Sequence, residues 1–299
     1  MRSPILRLGA ATLLAAALAG CADAGDASDL GPRTSTGTVT LATSDDIASR
    51  IEGLIYANAL RGIGTPVETR LGIGPGDAAV AAVERGEVTV APALTGALWD
   101  RYRPGAPLPT ARAAEEKDSK AQWDAQFVAL SAVLPEGLGL GDPTLALDQP
   151  MLYSRPGAAP ASLRDCEGLT GPVAVPQGTP TDLGGRYGCS VGPVTMVADD
   201  AAAAREVAEG RAGLAQLGTL TAAAQKLNQV ADPDSTVPAR AVVPLFRRDG
   251  VTVQQNKRLS AIAGELTTID LAAMVEKVRS GEKTVEQVTD AWGADHPLH

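Results

Sequence analysis

Residues 38–62 read TVTLATSDDIASRIEGLIYANALRG, and this stretch decides the fold. Its first part, 38–42, alternates β-branched and apolar residues and predicts a short strand. Residues 43–46, Thr-Ser-Asp-Asp, are typical of a helix start because their side-chain oxygens accept bonds from free backbone N–H groups. The helix itself is indicated by apolar residues at helical spacing, namely Ile47, Ile51, Leu54 and Ile55. Gly62 and Gly64 predict its end.

The pattern repeats directly downstream. Residues 66–71 predict a second strand, 77–85 a second helix and 88–90 a third strand. Strands that alternate with helices in this way form a parallel sheet covered by helices. The N-terminal part of the chain is therefore predicted to be an α/β unit.

A polar, proline-rich segment at 101–120 is predicted to be a loop that leads into a helix around Ala121. Further strands and helices are predicted after it, and from residue 161 they form a second alternating set. The predicted strands are 127–134, 145–154, 173–175, 194–197, 213–217 and 241–246. The further predicted helices are 161–166, one that ends at Tyr187, 200–209, 221–228 and three in the last fifty residues. Two α/β sets with a helical tail predict two lobes.

Composition excludes several functions. The 299 residues contain only two histidines, His296 and His299, both at the C-terminal end. That placement argues against a Ser-His-Asp triad, a Cys-His dyad and a multi-histidine zinc site. The formal net charge of −9 argues against nucleic acid as a partner. We therefore expect no enzyme, no metal and no cofactor.

The N-terminus carries a targeting signal. Arg2 and Arg7 precede an apolar run at 8–19, which is too short to span a bilayer comfortably but fits a secretory signal. The run ends in Leu-Ala-Gly-Cys21, which resembles the lipobox of bacterial lipoproteins, and this implies cleavage after residue 20 and lipid on Cys21. The alternative is an ordinary signal peptide with a chance cysteine. Residues 21–37 are small and polar and predict a flexible tether.

The two remaining cysteines, Cys166 and Cys189, are predicted to form a disulfide because an even pair in an exported protein is usually oxidised. Free thiols are the alternative. A catalytic thiol would have no histidine to support it.

Five blocks of sequence, in order, carry a resemblance to a known family: 43–60, 71–74 with 82–88, 91–97, 163–165 with 168–169, and 243–247. They are similar to segments of the substrate-binding lipoproteins of glycine betaine, choline and carnitine uptake transporters. The resemblance covers about residues 36–295. It implies an α/β chain with the two-lobed type II periplasmic-binding-protein fold and two interlobe crossovers, near 142–150 and 238–243.

On this interpretation one lobe holds 36–145 with 243–299, the other holds 146–242, and a solute binds between them. The implied ligand-binding residues are Ser44, Asp45, Asp46, Thr95, Gly96, Asp148, Gln149, Gln177, Thr179, Gly218 and Thr219. Structural alternatives stand beside these roles. One of the first three, most simply Ser44, serves as a helix N-cap, Gly96 serves a tight turn, and Asp148 is a solvent-facing hinge residue.

The chain departs from the family at the positions that would hold a quaternary ammonium ion. Leu94 and Ala93 stand where the family has tyrosine and an acidic residue, and Ala222 stands at another acidic position. Aromatic rings bind such cations through their quadrupole, so the departure predicts a less cationic solute.

The function predicted from the sequence is a lipid-anchored, extracytoplasmic, monomeric solute-binding protein that delivers an osmoprotectant-like solute to an ABC transporter permease. The alternative is a binding-protein fold that acts as an envelope sensor or scaffold without a dedicated permease.

Overall fold

The computed structural model describes residues 37–106, 119–158, 162–164, 166, 169, 171–177, 182–221, 226–234, 236–237 and 240–298, with the backbone alone at 119–124 and 186. The predicted signal peptide 1–20, Cys21 and the tether up to residue 36 lie outside the described residues. Thr179 and Ala222 also lie outside them.

Two five-stranded sheets and nine helices make up the described part of the chain. The strands are β1 Val39–Ala42, β2 Val67–Arg70, β3 Val90–Leu94, β4 Leu138–Leu140, β5 Pro150–Ser154, β6 Val173–Pro176, β7 Val194–Val197, β8 Leu214–Gly218, β9 Asn228–Gln229 and β10 Val242–Arg247. The helices are α1 Ile47–Gly62, α2 Ala78–Glu84, α3 Thr95–Tyr102, α4 Ser119–Val133, α5 Leu183–Tyr187, α6 Asp200–Ala208, α7 Val253–Ser260, α8 Thr268–Arg279 and α9 Val285–Asp295.

The two sheets have the same design. The first has the order β2-β1-β3-β10-β4, in which β1 is parallel to β2 and β3 while β10 is antiparallel to its neighbours β3 and β4. The second has the order β7-β6-β8-β5-β9, with β5 antiparallel to β8 and β9. In each sheet, one antiparallel strand therefore follows a set of parallel strands. We call each sheet with its packed helices a lobe.

Helix α1 is the central element of the first lobe. It packs against α7, α8 and α9 as well as the sheet, so ten of its sixteen residues are buried. A Cβ added at Gly53 would overlap the Thr43 methyl group, so only glycine allows α1 to approach the loop after β1 this closely. The helix therefore holds that loop in place.

The second lobe has its own core and carries the predicted disulfide. Cys166 and Cys189 are bonded with 5.6 Å between their Cα atoms. Both sulfur atoms lie close to the carbonyl oxygen of Leu163, and the buried Tyr187 and Leu183 belong to the same core. The disulfide prediction is confirmed.

The predicted α/β class, the strand-helix order of 38–94 and the three C-terminal helices are confirmed. Three predicted elements are wrong. Residues 127–133 belong to helix α4 rather than a strand, because the apolar run continues a helix that begins at Ser119. Residues 228–229 pair with β5 rather than ending a helix. Ser162 forms a parallel bridge with Ala231 rather than lying in a helix.

Candidate functional site

Two antiparallel segments cross between the lobes. The Asp148 backbone N–H donates to the Arg240 carbonyl oxygen at 3.0 Å, and the Val242 N–H donates to the Ala146 carbonyl oxygen at 3.0 Å. These bonds join the segment that leads into β5 to the segment that leads into β10. The crossing is thus a short hydrogen-bonded ribbon rather than two independent linkers.

Thr219, in the turn after β8, ties this ribbon to the second lobe. Its Oγ1 accepts from the Gln149 backbone N–H at 3.1 Å and donates to the Leu147 carbonyl oxygen at 2.6 Å. The Gln149 side-chain oxygen accepts from the Arg240 backbone N–H at 3.1 Å. Thr219 and Gln149 are both buried.

Thr95 plays the corresponding part in the first lobe. It is the first residue of α3, and its Oγ1 accepts from the Ala241 backbone N–H at 3.1 Å while its own N–H donates to the Ala241 carbonyl oxygen at 3.0 Å. Gly96 follows inside the helix and is buried. Three of the predicted ligand residues, Thr95, Gln149 and Thr219, therefore hold the crossing, and their contact with a ligand stays a prediction.

The loop between β1 and α1 brings the predicted residues Ser44, Asp45 and Asp46 together. Asp46 caps α1, because its Oδ1 accepts from the Ser49 N–H at 2.7 Å. The expectation that Ser44 is the cap is wrong: Ser44 is buried, and its N–H donates to the Ser49 hydroxyl at 3.0 Å. Asp45 is exposed and lies 4.0 Å from Arg50.

Asp148 is the predicted residue with the most unusual environment. The pKa of its carboxyl is raised to about 6, mainly by burial. The negative charges of Asp46 on the first lobe and Asp200 on the second also raise this pKa, whereas the positive charge of Arg240 lowers it. The carboxylate forms no hydrogen bond or ion pair within the described part of the chain. A Cβ added at Gly218 would lie 3.9 Å from its Oδ1, so it stands at the end of β8. Asp148 therefore places a carboxylate between the lobes that has no partner among the described residues.

Glu52 is a second such carboxyl, and sequence reasoning missed it. It lies on α1, is only 5 % exposed and has no hydrogen-bond partner among the described residues. Burial raises its pKa well above the ordinary value, and the charges of Asp46 and Asp148 add to the effect. The Tyr56 hydroxyl, one helical turn further on, is buried and has no hydrogen-bond partner among the residues the structure describes. Burial and the charge of Glu52 raise its pKa. The acidic character of the crossing therefore extends into the first lobe.

Asp200 supplies the acidic group of the second lobe. It is the first residue of α6, and burial raises its pKa while a hydrogen bond with Thr221 and the charge of Arg279 oppose the rise. Arg279 is the last residue of α8, on the first lobe. This charge interaction therefore connects the two lobes.

The remaining predicted residues differ in placement. Gln177 is exposed, and its N–H donates to the Val197 carbonyl oxygen at 2.9 Å. Gly218 ends β8 beside Asp148. In the described part of the chain, no three His, Cys, Asp or Glu side chains form a group that could hold a metal ion. None of the described helices is both long and apolar enough to cross a bilayer.

Neither a family model nor a curated protein matches the sequence. The fold, in contrast, has well-matched solved structures. Apo YehZ from Escherichia coli superposes with a TM-score of 0.68 at 18 % identity, covering 88 % of this chain and 100 % of that one. A glycine betaine/carnitine/choline ABC transporter protein superposes with a TM-score of 0.68 at 12 % identity, covering 86 % and 98 %. The chain has the periplasmic-binding-protein fold.

A third structure with this fold, lactococcal OpuAC in its closed form with glycine betaine, superposes with a TM-score of 0.52 at 15 % identity, covering 87 % of this chain and 96 % of that one. The structural neighbours thus include substrate-binding proteins of glycine betaine, choline and carnitine ABC transporters. At these identities the similarity establishes the fold. It confirms the predicted two-lobed α/β architecture.

Proposed function

We propose that the protein is an extracytoplasmic solute-binding protein that captures a small, osmoprotectant-like solute between its lobes and delivers it to an ABC transporter permease. The observation that carries the proposal is the unpartnered carboxylate of Asp148 at the crossing of a periplasmic-binding-protein fold. Asp46 on one lobe and Asp200 on the other both raise its pKa, so charges from both lobes act at this point. We expect a ligand bound here to contact both lobes. Contacts made from both sides favour a closed arrangement.

The chemistry of the crossing favours a hydrogen-bond donor over a quaternary ammonium group. The negative charges of Asp46, Asp148 and Asp200 attract a positive or N–H-bearing group. Leu94 and Ala93, at the end of β3, offer no ring face. Because aromatic faces provide the attraction for a cation without N–H groups, we expect glycine betaine and choline to bind weakly.

Titration calorimetry on the folded domain, with glycine betaine, choline, proline, ectoine and basic amino acids as probes, tests the proposal. We expect one N–H-bearing probe to bind at micromolar concentration and Asp148→Asn to weaken it at least about tenfold, the effect of losing a charge-assisted hydrogen bond. Asp142→Asn, an exposed change in the same segment, is the matched control. Binding that both variants leave unchanged would exclude Asp148 from the site, and no binding by any probe would favour a sensor or scaffold without a solute.

We also propose that Cys21 carries the lipid that anchors the protein outside the cytoplasm. Lipid chains on one cysteine would hold the folded domain at the membrane through the 21–37 tether. Cys21→Ser should accumulate as unprocessed or released protein after membrane fractionation. If the Cys21→Ser protein stays bound to the membrane after a salt wash, as the wild type is expected to, the anchor lies at another residue.

A further inference from the structure

A groove of about 640 Å³ lies between α6 of the second lobe and α8 of the first. Four cationic side chains line it: Arg155, Arg205, Lys226 and Arg279. One carboxylate, Glu276, accompanies them and lies 3.5 Å from Arg279. We call this the basic groove. It is a concentration of positive charge on a chain whose formal net charge is −9.

Among the residues that the structure describes, three of the four cations have no carboxylate partner. Arg155, Arg205 and Lys226 form no ion pair within the described part of the chain, whereas the nearby Arg211 pairs with Glu206 and Glu209. The exposed arginines of this lobe are thus not uniformly neutralised. The three cations without an ion pair among the described residues, Arg155, Arg205 and Lys226, all line the basic groove.

The floor of the groove is made of small residues. Ala201, Ala204 and Ala208 lie on a face of α6 beside its buried residues Ala203 and Val207. This spacing places them in one line with Arg205 along the helix. Side chains this small leave room for a ligand, and the volume of the groove is that of a small-molecule site.

We propose that the basic groove binds a small polyanion, a molecule with two or more carboxylate or phosphate groups. Arginine side chains bind these oxygen-rich groups in a bidentate manner, and the four cations come from four separate segments of the chain. Because Arg279 belongs to the first lobe and the other three belong to the second, a bound polyanion bridges the lobes. This site borders the acidic crossing, because Asp200 interacts with Thr221 and Arg279, which line the groove. Its cations are different residues from Asp148, and the proposal does not depend on the proposed solute.

The test is titration of the folded domain with citrate, as the carboxylate probe, and with inorganic pyrophosphate, as the phosphate probe, at low and high NaCl. Glycerol and choline are the neutral and cationic controls. We expect saturable binding of at least one probe at or below about 1 mM, with an affinity that falls as salt rises. The probe that binds assigns the chemistry of the anion.

Two variants localise the binding. Arg205→Gln should weaken it by about tenfold or more, the loss of one charge-assisted contact. Ala201→Glu places a carboxylate on the groove floor near the N-terminus of α6, where negative charge is tolerated by the helix, and should abolish binding. Lys257→Gln, on the exposed face of α7, removes the same charge from another surface and should leave the affinity unchanged.

Failure of both probes to bind overturns the proposal. So does equal weakening by Arg205→Gln and Lys257→Gln, since binding would then reflect overall charge. Citrate or pyrophosphate binding that Asp148→Asn removes and Arg205→Gln does not would place the anion at the crossing and also overturn the groove assignment. Failure of the proposed solute function leaves these readouts intact, because they require only a folded domain.

Discussion

Thr219 and Gln149 are joined by two hydrogen bonds that run in opposite directions. The Thr219 N–H donates to the Gln149 carbonyl oxygen at 3.0 Å, and the Gln149 N–H donates to the Thr219 hydroxyl oxygen at 3.1 Å. The same hydroxyl donates to Leu147. One threonine side chain therefore satisfies a buried donor, the Gln149 N–H, and a partly buried acceptor, the Leu147 carbonyl oxygen, of the crossing segment.

Thr219→Val should lower the free energy of unfolding by about 1–3 kcal/mol, because it leaves the Gln149 N–H and the Leu147 carbonyl without this partner. Urea unfolding followed by circular dichroism measures the change. Thr219→Ser keeps the hydroxyl and should recover most of the stability. Equal stability of the valine and serine variants would show that the hydroxyl does not hold the crossing.

Asp148→Asn should stabilise the protein at neutral pH. The folded-state pKa of about 6 lies above the ordinary carboxyl value of 3.8, so the ionised form is disfavoured by folding. The penalty is absent below pH 3.8, where both states are protonated, and grows as pH rises to about 6. Allowing for partial exposure, we expect a gain of about 1–2 kcal/mol at pH 7.5 and almost none at pH 4.

Thermal unfolding across this pH range measures the effect, and Asp142→Asn serves as the exposed control on the same segment. A gain that is the same at pH 4 and pH 7.5 would contradict the assignment of the raised pKa to Asp148.

Glu52→Gln should also raise the unfolding temperature at neutral pH. The Glu52 carboxyl is buried and lies near Asp46 and Asp148, and its pKa is raised. At a pH above the ordinary glutamate pKa, the unfolded chain ionises more readily than the folded protein, so the folded state is destabilised. The stabilisation by glutamine should disappear at acid pH. Glu282→Gln, an exposed carboxyl in the turn before α9, provides the comparison. Destabilisation at every pH would mean that the carboxylate has a structural partner.

Removal of the disulfide by the double change Cys166→Ser and Cys189→Ser should lower stability by about 3 kcal/mol, the value for a closed loop of this length. Reductant should lower the stability of the wild type by a similar amount and leave the double variant unchanged. A reductant effect on the double variant would attribute the loss to another cause.

The alternation of strand and helix was visible in the sequence wherever caps and periodicity agreed, as in 38–62. The prediction of a strand at 127–133 was wrong, because a continuous apolar run fits a strand and a buried helix equally well. The two-residue strand β9 has no local signal, because it depends on its pairing with Tyr153 and Ser154.

Residues of the candidate site were predictable from the sequence only where the order of strands and helices places them at the crossing between the lobes. Asp148, Gln149 and Thr219 meet there, but their hydrogen bonds could not be deduced from spacing. Glu52 reads as a solvent-facing residue of an amphipathic helix, and it is buried because α1 is covered by three C-terminal helices. No sequence pattern predicted the basic groove, because its cations come from segments far apart in the sequence.

Strand β10 lies between β3 and β4, and among the described strands β4 pairs with β10 alone. The second sheet uses only strands from residues 150–229, whereas the first needs residues 242–247. A chain that emerges from its N-terminus can therefore complete the second lobe while the first still lacks an inner strand. During that interval the apolar faces of β1, β3 and α1 have no finished sheet to cover them. The order of synthesis thus makes the first lobe the last to become resistant to aggregation and proteolysis.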